Sequence, residues 1–180
     1  PDGNLWFTES GGGNIGRISP AGAITEFTLP NGGSPWGIAA GPDGNLWFTE
    51  EVGGNIGRIS PAGTITEFTI PTANSEPLGI AAGPDGNLWF TEYGGNKIGR
   101  ITTGGPITEF ALPTANSAPA GIAAGPDGNL WFTEYGGNKI GRITTGGPIT
   151  EFALPTANSA PAGIAAGPDG NLWFTEYGGN

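Results

Sequence analysis

The carboxylates that could do acid–base chemistry here recur with a fixed spacing. Glu9, Glu50, Glu92, Glu134 and Glu176 each close a copy of Pro-Asp-Gly-Asn-Leu-Trp-Phe-Thr-Glu, in copies at 1–9, 42–50, 84–92, 126–134 and 168–176. Arranged about one axis they would form a ring of carboxylates, and a carboxylate serves as a general base when burial raises its pKa. An arginine follows each glutamate of the inner copies on the next predicted strand, pairing Glu50 with Arg58, Glu92 with Arg100 and Glu134 with Arg142. Cross-strand ion pairs of this kind stabilise a hairpin modestly. Every unit carries both partners, so the expectation is a structural pair and not an active site, which needs asymmetry. Histidine, cysteine and methionine are all absent. No catalytic residue, metal ligand or cofactor ligand is therefore assigned, and no disulfide can form.

The other motifs with chemical potential read as structure. The Asp-Gly-Asn pieces lack the alternating oxygen ligands and distal glutamate of an EF-hand loop, and a turn accounts for them. The segment from Glu9 to Asn14 is glycine-rich, but no helix follows it to cradle a phosphate. Trp6, Trp47, Trp89, Trp131 and Trp173 hold one fixed strand position, as expected of aromatic core between repeats rather than sugar-stacking surface. Trp36 lies outside that motif and is the one aromatic side chain expected at a surface contact.

Turns and strands must position these side chains. Successive copies start 41 or 42 residues apart, the period of a solenoid, a propeller or a tandem array. Within 77–118 the apolar piece from Leu78 to Gly83 leads through the Pro84-to-Asn87 turn into Leu88–Tyr93. A turn at 94–96 leads to Lys97–Thr102, and another at 103–105 to Pro106–Leu112, before a longer link at 113–117. Asp-Gly supplies residues that tolerate positive φ, and the aromatic and β-branched runs suit pleated surfaces. Glycine, proline and β-branched residues interrupt every candidate helix. The predicted fold is all-β: tandem four-stranded antiparallel blades of about 42 residues, like those of a β-propeller, in a closed ring or an open arrangement. The units run 1–41, 42–83, 84–125 and 126–167, with a partial unit at 168–180, as one repeat array expected to be a segment of a longer chain. Residues 93–134 and 135–176 are identical.

The 36 glycines and 17 prolines would suggest disorder, except that they recur at fixed places between apolar runs. The net charge is −10, with only 6 basic residues, evenly spaced. A nucleic-acid partner needs clustered lysine and arginine and is not expected, nor is an anionic membrane surface. No apolar run is long enough to cross a bilayer.

Leu-Trp-Phe-Thr-Glu, Gly-Gly-Asn-Lys-Ile-Gly-Arg-Ile, Ile-Thr-Glu-Phe and Gly-Ile-Ala-Ala-Gly-Pro-Asp-Gly together resemble the repeats of the virginiamycin B lyases, the streptogramin lyases. The resemblance covers essentially the whole chain. It implies a seven-bladed β-propeller that opens a cyclic antibiotic by elimination, using a histidine base, carboxylates and a magnesium ion. With no histidine here, that base is carried to no position. The leading expectation is accordingly non-enzymatic. It is a structural scaffold that self-assembles through uncapped blade edges into an extracellular bacterial filament or array, with itself as partner and no cofactor. The alternatives are a streptogramin-lyase-like enzyme and a lectin-type propeller that binds a glycan or small molecule, the latter read from Trp36.

Overall fold

The computed structural model describes residues 2–178. Pro1 and residues 179–180, the outer limits of the first and last predicted units, lie outside them.

Leu-Trp-Phe-Thr-Glu forms the second strand of each four-stranded sheet and of the fifth blade, and the first strand of the three-stranded first blade. The first blade holds β1 (Leu5–Glu9), β2 (Asn14–Ile18) and β3 (Ile24–Thr28). The second holds β4 (Pro35–Ala40), β5 (Leu46–Glu50), β6 (Asn55–Ile59) and β7 (Ile65–Thr69). The third holds β8 (Pro77–Ala82), β9 (Leu88–Glu92), β10 (Lys97–Ile101) and β11 (Ile107–Ala111). The fourth holds β12 (Pro119–Ala124), β13 (Leu130–Glu134), β14 (Lys139–Ile143) and β15 (Ile149–Ala153), and the fifth β16 (Pro161–Ala166) and β17 (Leu172–Glu176). Each sheet is an antiparallel meander, and from the second blade on the Gly-Ile-Ala-Ala strand is innermost. Units counted from Pro-Asp-Gly therefore cut every full sheet between its first and second strands. The first and last sheets are not hydrogen-bonded to each other, so the described residues form an open arc.

The core lies between blades, not within one. Trp47, Ile56 and Ile70 of the second blade pack on Ile80, Leu88, Phe90 and Ile101 of the third, and equivalent slabs fill the neighbouring junctions. A second strand covered on both faces has no use for polar alternation, which is why β5 and β9 are buried at every residue. The outer strands alternate instead, as β7 does. Of the repeated tryptophans, Trp47 and Trp89 are fully buried, Trp6 and Trp131 are half-buried and Trp173 is 64% exposed.

Three contacts recur along the array, one within each blade and two across junctions. The Gly57 position in the third strand leaves room for the Phe48 ring, which a Cβ there would meet at 2.1 Å. The Thr49 hydroxyl accepts from Gly37 N at 2.9 Å and donates to the Leu78 carbonyl of the next blade at 2.7 Å. Thr91 and Thr133 repeat this bridge to Ala120 and Ala162. Arginine makes the third contact. Arg58 lies over the stacked Trp47 and Phe68 rings and donates to the Thr103 carbonyl of the next blade's turn at 3.2 Å. Arg100 does the same with Trp89, Phe110 and Thr145.

This arrangement corrects the predicted Glu–Arg pairs. Register sets Arg58 opposite Trp47 and Glu50 opposite Asn55. Because strand side chains alternate, Glu50 and Arg58 point to opposite faces of their sheet, and so do Glu92 with Arg100 and Glu134 with Arg142. Among the described residues the ion pairs are Lys97–Glu109 at 3.2 Å and Lys139–Glu151 at 2.7 Å.

Candidate functional site on the loop face

The strand order gives the arc two unlike faces. One carries the 41–45 and 60–64 turns and their equivalents. Its Asp-Gly-Asn turns are the same in every blade and internally satisfied. Asp43 accepts from Asn45 N and Nδ2 and from the Trp47 indole at 3.0 Å. Burial works against the Asp43 charge, but these hydrogen bonds outweigh it and hold its carboxyl below the usual range. This is the turn that the sequence implied, sealed by its own tryptophan.

The opposite, loop face carries the segments between second and third strands (51–54, 93–96, 135–138) and the links between blades (29–34, 70–76, 112–118, 154–160). Among the described residues, all eight non-glycine residues with positive φ sit there: Asn74, Glu76, Asn96, Asn116, Ala118, Asn138, Asn158 and Ala160. Glu76 and the two alanines adopt a conformation that L-residues rarely hold, a cost that tends to gather at functional surfaces. The blades also differ most in sequence on this face. The residue after the glutamate is Glu51 in the second blade, but Tyr93, Tyr135 and Tyr177 in the later ones. The second inner-strand residue is Trp36, then Leu78, Ala120 and Ala162.

Two concavities follow. The inner strands line an axial opening of about 450 Å³, walled by Trp36, Ile38, Leu78, Ile80 and their alanine-bearing equivalents. Trp36 is 55% exposed there, at the surface position that its place outside the repeat motif implied. A cleft of about 400 Å³ lies between the second and third blades, lined by Glu51, Val52, Ile70, Thr72, Asn74 and Glu76. Tyr93 and Tyr135 lie beyond Glu76 with ring centroids 6.4 Å apart. Glu76 stands two residues before Leu78 and is a carboxylate where the other links have Ser34, Ala118 and Ala160.

Beneath this face the repeated glutamates form a row of fully buried carboxyls, Glu50, Glu92 and Glu134, one per junction. Burial pushes Glu50 up to about 7, with the Glu67 charge adding to the effect. Burial and then the nearby Glu109 carboxyl push Glu92 up to about 8, and burial raises Glu134 as well. None of these three reaches the surface, so they set the electrostatics under the face and do not touch a ligand on it. Glu109 behaves oppositely. Its burial is outweighed by hydrogen bonds from Thr72 and Lys97, which hold it low. Among the described residues no three Asp, Glu, His or Cys side chains gather as metal ligands. The magnesium ion that the resemblance implies therefore finds no such ligand set here, and no chemical step is routed through it. The asymmetry of Glu51, Glu76 and Trp36 is visible in sequence; its gathering on one face needed the strand order.

These features define an array of propeller blades with one variable, concave face suited to binding. Residues 1–180 match the virginiamycin B lyase family, and the chain belongs to it. A catalytically inactive histidine-to-alanine variant of virginiamycin B lyase from Staphylococcus aureus, solved with quinupristin, is 54% identical with a TM-score of 0.96, over 98% of this chain and 61% of that one. A streptogramin B lyase structure is 48% identical with a TM-score of 0.94, over 97% of this chain and 59% of that one. A virginiamycin B lyase from Bordetella bronchiseptica is 52% identical over 42 residues, 23% of this chain and 14% of that protein. The chain thus spans about three fifths of the length of the solved relatives. These likenesses overturn the scaffold and filament expectation, and with it the reading of the chain as no enzyme. Near-identity between units does not exclude an active site, since the relatives that these blades match are lyases.

Proposed function

We propose that this chain is a streptogramin-lyase-type propeller that receives a cyclic antibiotic of the quinupristin class on its loop face and opens the ring by elimination. The likeness to the quinupristin-bearing lyase across 98% of the chain supports this reading most strongly. The axial opening is walled by the large apolar Trp36 and Leu78 on one side and by the small Ala120 and Ala162 on the other, which suits a bulky ring placed off-centre. Burying one aromatic or aliphatic group against Trp36 contributes roughly 1.5–3 kcal/mol to binding. Elimination needs a base to remove a proton while the leaving group departs from the neighbouring atom. Glu76 is the residue assigned to that role: it lines the cleft and stands two residues before Leu78, which walls the axial opening. Its backbone is left-handed, φ 46°, a conformation that non-glycine residues hold at a cost and that gathers at functional surfaces.

Calorimetric titration with quinupristin tests the reading. Trp36→Ala should weaken binding about tenfold or more with an unchanged Tm, as expected for loss of one buried aromatic contact. Glu76→Gln should bind and fail to convert the ligand. Unaltered affinity in the Trp36 variant would remove the axial opening from the site.

A further inference from the structure

The link between the second and third blades lacks a side chain that the two later links both receive. In the third blade Asn96 Nδ2 donates to the Thr114 carbonyl at 3.0 Å, and its Oδ1 accepts from Ser117 N at 2.7 Å. Asn138 makes the same two bonds to Thr156 and Ser159, at 2.9 and 2.7 Å. In both links the serine hydroxyl also donates to that threonine carbonyl. The second blade has Gly54 in place of the asparagine, facing an unchanged Pro-Thr-Ala-Asn-Ser link at 71–75. The backbone is alike too: φ is 61° at Gly54 against 54° at both asparagines, and 53° at Asn74 against 57° at Asn116. Gly54 offers no carboxamide to Thr72 and Ser75, and the Ser75 hydroxyl, fully buried, has no hydrogen-bond partner. Apart from its chain neighbours, a Cβ on Gly54 would meet one heavy atom within 4 Å, Ser75 Oγ at 3.2 Å, and otherwise open space. That space belongs to the cleft of about 400 Å³ that Gly54, Thr72 and Asn74 help to line. The first blade also has a glycine here, Gly13, but its link is one residue shorter (29–34 against 70–76) and brings the Gly33 carbonyl to 3.4 Å from the Cβ position.

We propose that the cleft floor at Gly54 is a carboxamide subsite, which takes a primary amide or a backbone amide of a peptide-like ligand where the later blades place an asparagine side chain. The ligand carbonyl accepts from Ser75 N and its N–H donates to the Thr72 carbonyl, as Asn96 Oδ1 and Nδ2 do at their own link. The Ser75 hydroxyl then turns to the Thr72 carbonyl, as Ser117 turns to Thr114. A buried polar group without a partner is costly, so a ligand amide supplies here what the later blades supply from within. Glu51 and Glu76 also line the cleft and disfavour an anion of the same shape. This amide recognition goes beyond ring opening and does not depend on Glu76 acting as a base.

Acetamide is the group that Gly54 lacks relative to asparagine, and it serves as the probe. Titration of the full chain with acetamide, followed by NMR, should give a saturable downfield shift of the Ser75 amide proton. Acetate has the same shape but is anionic and has no N–H to donate, and it should leave that signal in place. Gly54→Asn carries its own carboxamide on a backbone already suited to it. The variant should keep or exceed the parent Tm and bind acetamide about tenfold more weakly or worse. A parent chain whose Ser75 signal shows no saturable shift, an equal shift with acetate, or a folded Gly54→Asn chain that binds acetamide as the parent does would overturn the proposal.

Discussion

Glu92 has both carboxylate oxygens buried without a hydrogen-bond donor among the described residues. An ionised group so placed is costly, and the chain answers by raising the pKa to about 8, as it raises Glu50 to about 7. Both values exceed the ordinary 4.5, so the folded chain holds protons that the unfolded chain has released. Stability therefore falls as pH rises from about 4.5 to about 8 and changes little from these groups below that window. Glu92→Gln mimics the neutral acid. Denaturant unfolding should show it close to the parent at pH 5 and more stable at pH 9, by on the order of a few kcal/mol at most. A variant equally destabilised at both values would show that Glu92 is charged in the fold. Space is equally tight at Gly99, where a Cβ would lie 2.0 Å from the Phe90 ring. Gly99→Ala should cost roughly 1–3 kcal/mol or more, read from the same unfolding curves.

At the scale of elements, the strands were legible because their chemistry is local. The predicted third strand, Lys97–Thr102, is observed as Lys97–Ile101, and the Asp-Gly-Asn turns follow from their own side chains. Partners across strands were not legible, because the Glu–Arg pairing assumed a register that places both side chains on one face. The actual register sends arginine to the aromatic side and glutamate to the junction with the preceding blade. The site was legible only as oddities, Trp36 and the missing histidine, since sequence spacing does not say that links and second-strand ends share a face. The junction contacts can be tested directly. Thr91→Val leaves Gly79 N and the Ala120 carbonyl without their bridge, and should cost about 1–3 kcal/mol with the fold retained. Arg58→Ala removes the contact to Thr103 and the cover over Trp47 and Phe68. It should cost about 1–2 kcal/mol and speed hydrogen exchange in the 60–64 and 102–106 turns.

For the whole molecule, near-identity between blades and difference on one face are complementary. Shared junctions let each blade pack on the next by the same rules, as repeat architectures do, while a few loop-face substitutions give the ligand side its own shape. Fold alone would not assign a function. The identity to the lyases and the position of Trp36 and Glu76 on that face together support one. The most direct measurement is incubation of the full chain with quinupristin, followed by liquid chromatography and mass spectrometry. Elimination adds no water, so the account predicts a new species of unchanged mass that carries an opened ring, formed by the parent chain and not by Glu76→Gln. Quinupristin recovered intact, or a product heavier by one water, would contradict it.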